Sequence, residues 1–237
     1  MKPGDSQAFI FEVIGMHPLI ETFSKIEVFK KLKISQIERL VKNREIIFRR
    51  YERGELIKGR GEKINEVMVL MSGKVRGEMN DFNGKNLVVE EIKAPNFLAV
   101  NISFSREAIL PVDIISEERC EVAYLKKEKI FELASENIDF LKALVEFLGS
   151  KFYFISQKLW FITLNSLKEK ILIYLASKYS GGEIVVLDKS IEQLSQLFGS
   201  TRPALSRAFS SLESEGIIRK EGNKIYILDK DVIDFYV

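Results

Sequence analysis

The stretch from Ile191 to Ser210 constrains this chain more than any other, because its residue order suits two short helices joined by a tight turn. Leu194 and Phe198 are apolar one helical turn apart, Ser195 is small where two helices would cross, and Gly199 permits the positive φ a sharp turn needs. A second helix is predicted after Ser200 or Thr201, either of which can cap it. Pro203 falls in the first turn, where a missing N–H costs little. Leu205, Ala208, Phe209 and Leu212 recur at helical spacing on one face, and Arg202, Ser206, Arg207 and Ser210 occupy the other. The first face is fit for burial, and the second is left to meet something outside. Two amphipathic helices of an ordinary all-α core would show the same periodicity, so the residues after Leu212 decide between the readings.

Those residues form a hairpin pattern. Ile217-Ile218-Arg219-Lys220 and Lys224-Ile225-Tyr226-Ile227-Leu228 are apolar-rich runs on either side of Glu221-Gly222-Asn223, and a Gly-Asn pair between such runs is a strong local turn signal. Helix, turn, helix and hairpin make a winged helix-turn-helix, and Arg219, Lys220 and Lys224 on the wing suit a phosphate backbone. Lysines and arginines on a hairpin also serve solubility, so it is the order of elements that favours double-stranded DNA as the partner. Charge adds little: from Leu164 onward there are ten Lys or Arg and ten Asp or Glu. A strongly basic domain is the usual electrostatic footprint of a nucleic-acid binder. Positive charge is local, since Ser200 to Leu212 holds two arginines and no acid. Modest non-specific affinity and dependence on a dimer are therefore expected.

The dimer is predicted from the middle of the chain. Ile138, Val145, Phe152 and Leu159 are spaced by seven, as are Leu141, Leu148, Ile155 and Ile162. Together they give an unbroken 3-4 apolar repeat over about four heptads, the pattern of a coiled-coil seam. Extra apolar residues at Leu144, Phe147 and Phe154 widen the stripe. A long helix packed along its own domain is the competing reading, and both contacts can hold together, the seam on a partner and the flank on the domain below. A two-fold dimer would also fit two recognition helices to half-sites one turn of DNA apart.

Upstream, Phe48 to about Lys126 reads as β structure. Arg53-Gly54-Glu55, Gly59-Arg60-Gly61-Glu62, Met71-Ser72-Gly73-Lys74 and Asn83-Gly84-Lys85 punctuate short apolar runs such as Val67-Met68-Val69-Leu70, Leu87-Val88-Val89 and Val122-Ala123-Tyr124-Leu125. Evenly spaced short strands and turns suggest a sandwich or roll. Gly59 and Gly61 lack the following helix and lysine of a phosphate-cradling loop and are read as turn residues. At 237 residues, 46% hydrophobic and 30% charged, the chain has an ordinary globular balance with room for one large or two modest domains. No run approaches the ~20 apolar residues needed to span a bilayer. Met1-Lys2-Pro3-Gly4-Asp5-Ser6 lacks the form of a signal peptide, so a cytoplasmic location and no membrane partner are expected. Cys120 is the only cysteine and His17 the only histidine, which leaves no intrachain disulfide, no obvious catalytic triad and no His-x-x-x-His metal motif. An enzyme is not expected.

The order of β-roll, long helix and winged helix-turn-helix resembles the CRP/FNR family of bacterial transcription regulators, over nearly the whole chain after about Leu19. Two stretches carry the resemblance. In the roll, Tyr51-x-x-Gly54-Glu55-x-Ile57, Gly61 and Leu70-Met71-Ser72-Gly73-Lys74-Val75 are similar to the family's turn signature, and Phe198 to Arg207 resembles its recognition motif. The resemblance implies an α+β chain: a cyclic-nucleotide-binding-like β-roll (jelly roll) over residues 1–134, a coiled-coil dimerisation helix and hinge over 135–163, and a DNA-binding domain over 164–237. It implies that Arg207 reads a guanine and Ser206 a neighbouring base, that Thr201 and Ser190 contact phosphates, and that Arg202 stands where some members place a second base-reading arginine. It also implies promoter operator DNA and RNA polymerase as partners. An Arg fork on guanine O6 and N7 discriminates by about 1–3 kcal/mol. Pro203 departs from the family, whose best-known members carry a glutamate there, and proline cannot accept from cytosine.

The sensor departs further. Members that bind cyclic nucleotides have a Gly-Glu pair and a later Arg-Ser or Arg-Thr for ribose and phosphate. The matching stretch here, Pro95-Asn96-Phe97-Leu98-Ala99-Val100 through Ile109-Leu110-Pro111-Val112-Asp113, has neither, and the nearest arginine is Arg106, beside Glu107. A phosphate buried without its cation is costly, so cyclic AMP is not expected as effector. One cysteine cannot hold an iron–sulfur cluster. Haem stays open, with His17, Cys120 and Met68 or Met71 as candidate ligands, although a lone histidine and a cysteine before an apolar strand also fit structural roles. Two readings remain: a dimeric, effector-responsive regulator that binds specific DNA, or a ligand-binding or interaction protein of the same fold that does not.

Overall fold

The computed structural model describes residues 16–42, 46–80 and 86–236. The Met1 to Ser6 segment and the Asn83-Gly84-Lys85 turn lie outside the described residues. The chain divides into two compact units, the first from residues 1–79 and 90–154, the second from residues 80–89 and 155–237.

The first unit contains the roll. One antiparallel sheet has the order β1 (Ile46–Tyr51), β8 (Cys120–Lys126), β3 (Glu66–Ser72), β6 (Asn96–Leu98). The other has the order β2 (Leu56–Lys58), β7 (Asp113–Ser116), β4 (Lys74–Asn80), β5 (Asn86–Lys93). Both faces of the first sheet are covered. Val67, Val69, Met71, Ala123 and Leu125 join a core shared with helices, whereas Met68, Leu70, Cys120, Val122 and Tyr124 join the core between the sheets. Burial on two sides explains why Val67–Leu70 and Val122–Leu125 are continuous apolar runs and not alternating ones. Gly73 turns β3 into β4 at φ +86°, and a Cβ there would stand 2.6 Å from the Arg119 carbonyl oxygen and 2.7 Å from the Cys120 Cβ. No other residue fits that turn without backbone movement. Gly59 and Gly61 lie in a turn with no helix after it, as expected.

Among the described residues, the β reading of Phe48 to Lys126 holds except for a short helix, α3 (Val100–Ser103). Sequence periodicity gave no account of the helices before the roll, α1 (Met16–Lys25) and α2 (Ile34–Lys42), with a 3-10 turn at Phe29–Lys31 between them. Phe23, Phe29, Ile37 and Leu40 from this segment complete the helix-side core with Ile130 and Leu133 of α4 (Lys127–Glu136). The long helix α5 (Ile138–Leu164) begins there, with Phe140, Ala143 and Leu144 buried and the Phe147 ring edge-on to Phe97 at 5.5 Å. The unit boundary falls within α5, after Phe154.

The second unit continues from α5 with α6 (Leu167–Ala176), β9 (Ile184–Val186), α7 (Ile191–Leu197), α8 (Arg202–Ser214), β10 (Ile218–Glu221), β11 (Lys224–Ile227) and α9 (Lys230–Asp234). Ser166 and Glu169 form a reciprocal capping box that starts α6. The predicted hairpin is present and gains a third strand, in the order β10-β11-β9. Leu194, Phe198, Leu205, Phe209, Leu212, Ile218 and Ile225 close one core with Ile171 and Leu175.

Candidate nucleic-acid interface

Helices α7 and α8 are built as their residues require. Ser190 caps α7, its hydroxyl accepting from the Gln193 N–H at 3.2 Å while the Gln193 side chain accepts from the Ser190 N–H at 2.9 Å. Ser195, buried at the crossing, donates to the Glu192 carbonyl at 2.8 Å. Gly199 turns the chain at φ +62°. Of the two predicted caps the structure uses Thr201, whose hydroxyl accepts from the Ala204 N–H at 3.4 Å, whereas the Ser200 hydroxyl is buried with no hydrogen-bond partner among the described residues.

The register of α8 is set by its buried face. Leu205, Ala208, Phe209 and Leu212 are buried, and Arg202, Ser206, Arg207 and Ser210 are exposed. Neither Arg202 nor Arg207 is engaged in an ion pair among the described residues. Two unpaired guanidinium groups in the first two turns of α8, where no acid occurs before Glu213, leave a local positive potential free for an external anion. Ser206, Ser210, Glu213 and Lys220 line a groove of about 180 Å³ beside α8, together with Ile191 and Phe209.

The wing is less uniformly free than its sequence suggests. Lys224 is exposed, while Lys220 is half-buried and its backbone N–H donates to Glu213 Oε1 at 2.8 Å, which ties β10 to α8. Arg219 stacks over Tyr226 at 4.5 Å and pairs with Glu221 at 3.1 Å. A guanidinium already stacked and paired is a weaker candidate for phosphate contact than Lys224.

The predicted seam runs along the open face of α5. Ile138, Leu141, Val145, Phe152, Ile155 and Leu159 are exposed in the single chain, Phe152 at 77%, while Leu148 and Ile162 are half-buried. Leu144 and Phe147 pack on the roll as the flank reading requires, but Phe154 stays exposed.

The sensor candidates do not converge. Met68 and Cys120 are sealed in the apolar core between the sheets, Met71 lies on the opposite face of the same sheet, and His17 is exposed on α1. Burial, and next the Glu118 charge, push the Cys120 thiol up to about 11, away from the thiolate a metal would need. No group of three or more metal-binding side chains occurs among the described residues. These residues do not fit a haem site. The stretch expected to lack a nucleotide cradle places Leu98 and Leu110 in the core between the sheets, with Ala99, Ile102 and Val112 packed against it, and leaves Arg106 exposed.

Several supports were missed from sequence. Lys158 and Lys170 donate to backbone carbonyls around the helix-turn-helix turn, and the Tyr174 hydroxyl and Lys178 both donate to Asp188 in the approach to α7. Spacing gives no signal for such tertiary contacts.

A β-roll, a long helix with an open apolar stripe and a winged helix-turn-helix make up the fold of a transcription regulator with a helix-turn-helix DNA-binding domain. The sequence model of the cyclic nucleotide-binding domain matches residues 48–137, and that of the Crp-like helix-turn-helix domain matches residues 170–233. The chain belongs to the CRP/FNR family of transcription regulators. Comparison with curated protein sequences gives no significant match. Among solved structures, the chain is similar to CLP, a c-di-GMP responsive global regulator of Xanthomonas campestris, with TM-score 0.65 and 18% identity over 83% of this chain and 100% of that one. It is also similar to a CooA mutant of Carboxydothermus hydrogenoformans (0.63, 15%, 81% and 88%) and to FixK2 of Bradyrhizobium japonicum (0.57, 15%, 81% and 96%). At these identities the likeness is one of fold. No helix among the described residues is long and apolar enough to cross a membrane.

Proposed function

We propose that the chain binds specific double-stranded DNA as a homodimer, with α8 of each protomer in the major groove of one half-site. The exposed face of α8, with Arg207 beside Ser206 and both arginines unpaired among the described residues, is the observation that carries this reading. Arg207 reads guanine, Ser206 a neighbouring base, and Arg202 a second position. Thr201, Ser190 and Lys224 meet phosphate, with Lys220 at the edge of the same surface. Pro203 at the start of α8 removes an acceptor for cytosine, so the operator differs from the family's best-known half-site. The seam of α5 joins the two protomers and sets the spacing of the half-sites. The roll has neither the Gly-Glu pair nor the phosphate-binding arginine over residues 95–113, so it does not take cyclic AMP.

A gel shift on the chain's own upstream DNA at several salt concentrations tests this. A retarded band that survives excess random DNA in the wild type and not in Arg207→Ala is expected, with the variant still folded and dimeric. The loss amounts to about 1–3 kcal/mol for a bidentate guanine contact. A variant with the wild-type preference for its site over random DNA would show the register of α8 to be wrong.

A further inference from the structure

We infer that Lys158 and Lys170 are positioning residues for DNA reading, because their ammonium groups close the C-terminal ends of α7 and α5 and so fix the turn that launches α8. The inference rests on α8 being the DNA-reading element. All the groups involved lie in the second unit.

Lys170, on α6, is only 8% exposed. Its Nζ donates to the Ile162 carbonyl at 2.8 Å, in the last turn of α5, and to the Phe198 carbonyl at 3.4 Å, at the C-cap of α7. Two helix C-termini therefore converge on one buried ammonium. Each end carries about half a negative charge on carbonyls that have no partner within their own helix. Brought together out of water they repel, unless a cation stands between them. Lys158, on α5, donates to the Leu197 carbonyl at 2.9 Å and supplies the second tie. The Phe198 ring lies edge-on to Phe161 of α5 at 5.6 Å and to Tyr174 of α6 at 5.9 Å, which leaves it little freedom to shift.

Position along the chain turns these ties into a device for aiming α8. Leu197 and Phe198 stand only four and three residues before Thr201, the cap of α8, so any displacement of them is passed directly to the recognition helix. On α5, Lys158 adjoins Leu159 and the carbonyl that holds Lys170 belongs to Ile162, both of them positions in the repeat. The same two turns of α5 thus face the partner protomer and grip the helix-turn-helix turn. Dimer geometry reaches the reading heads through these two lysines.

The test uses full-length Lys158→Met, Lys170→Met and Lys158→Arg beside the wild type. Specific and random duplexes are titrated by fluorescence anisotropy at several salt concentrations. Amide hydrogen exchange across residues 194–201 is measured without DNA. Each methionine variant is expected to lose about tenfold in specific affinity, the size of effect that an unmet buried hydrogen bond produces. Random-DNA affinity and the salt slope should stay at wild-type values, and exchange at 198–201 should quicken. Lys158→Arg, which keeps a donor and a charge, should recover most of the loss. If Lys170→Met fails to fold, Lys158→Met, altered at a half-buried position, carries the test. Unchanged exchange together with an unchanged preference for the specific site would overturn the inference. So would a salt slope reduced by about one, because that marks direct phosphate contact. If the wild type prefers no DNA sequence while the variants exchange faster, it is the DNA reading that fails, and the tie between the helices stands.

Discussion

Val145→Glu isolates the seam from the fold. Val145 is 60% exposed in the single chain, next to Leu144, which is buried in the roll core, so its own protomer holds it only lightly. In a parallel two-fold seam a residue at this position faces its own copy. Losing that mutual burial forfeits about 1 kcal/mol per protomer for a valine of this exposure. Two carboxylates about 6 Å apart repel by about 3 kcal/mol at an effective dielectric constant near 20. The combined change, about 5 kcal/mol, weakens association by roughly 10³- to 10⁴-fold. Sedimentation equilibrium over a range of concentrations should show monomer where the wild type is dimeric, with little change in circular dichroism. Each glutamate is more easily protonated beside its copy than in a free monomer, so acidification toward about pH 4 should restore part of the association. Leu148→Glu is less discriminating because Leu148 also packs on the roll core, whereas Ile155→Glu should behave like the valine variant. A Val145→Glu protein that sediments as the wild-type dimer at the same concentrations would refute the seam.

Local geometry sets three further outcomes. Calorimetric titration with cyclic AMP should give no saturable heat at micromolar concentrations, and one-per-chain heat lost in Arg106→Ala would restore a nucleotide sensor. Thr201→Ala removes the side-chain cap at the N-terminus of α8 and should lower stability by about 1 kcal/mol in a denaturant melt. A melt unchanged within error would place the start of α8 under tertiary control instead. Hydrogen bonds from Lys178, and next from Tyr174, hold the Asp188 carboxyl down at about 2. A depressed folded-state value contributes stability above the unfolded value near 4 and loses it as pH falls toward 2. Asp188→Asn should therefore flatten that part of the acid limb of Tm against pH. The effect should stay below about 1 kcal/mol, because the carboxyl is half exposed to screening water.

The features that could be read from sequence were those a single helix or turn decides for itself. Leu205, Ala208, Phe209 and Leu212 must share a face once α8 is helical, so the outward direction of Arg207 is fixed without tertiary knowledge. The heptads of α5 and the glycine turns of the roll are legible for the same reason. Contacts made between segments were not. The runs Val67–Leu70 and Val122–Leu125 declare strands, yet nothing in them says that one face meets α1 and α2, since an apolar residue carries no mark of its partner. Lys168 and Lys170 make the point at its sharpest. They stand two residues apart on α6 in the same Lys-Glu-Lys run, where sequence treats them alike. Lys168 pairs with Glu215 at the surface, and Lys170 turns inward to the carbonyls of α5 and α7. Only the arrival of two helix ends at one place gives a buried ammonium its counter-charge, and that meeting exists only once the chain has folded. Reading heads aimed through such a contact are set by the tertiary structure around α8, so two chains with identical residues on the DNA-facing surface can differ in the operator spacing they accept.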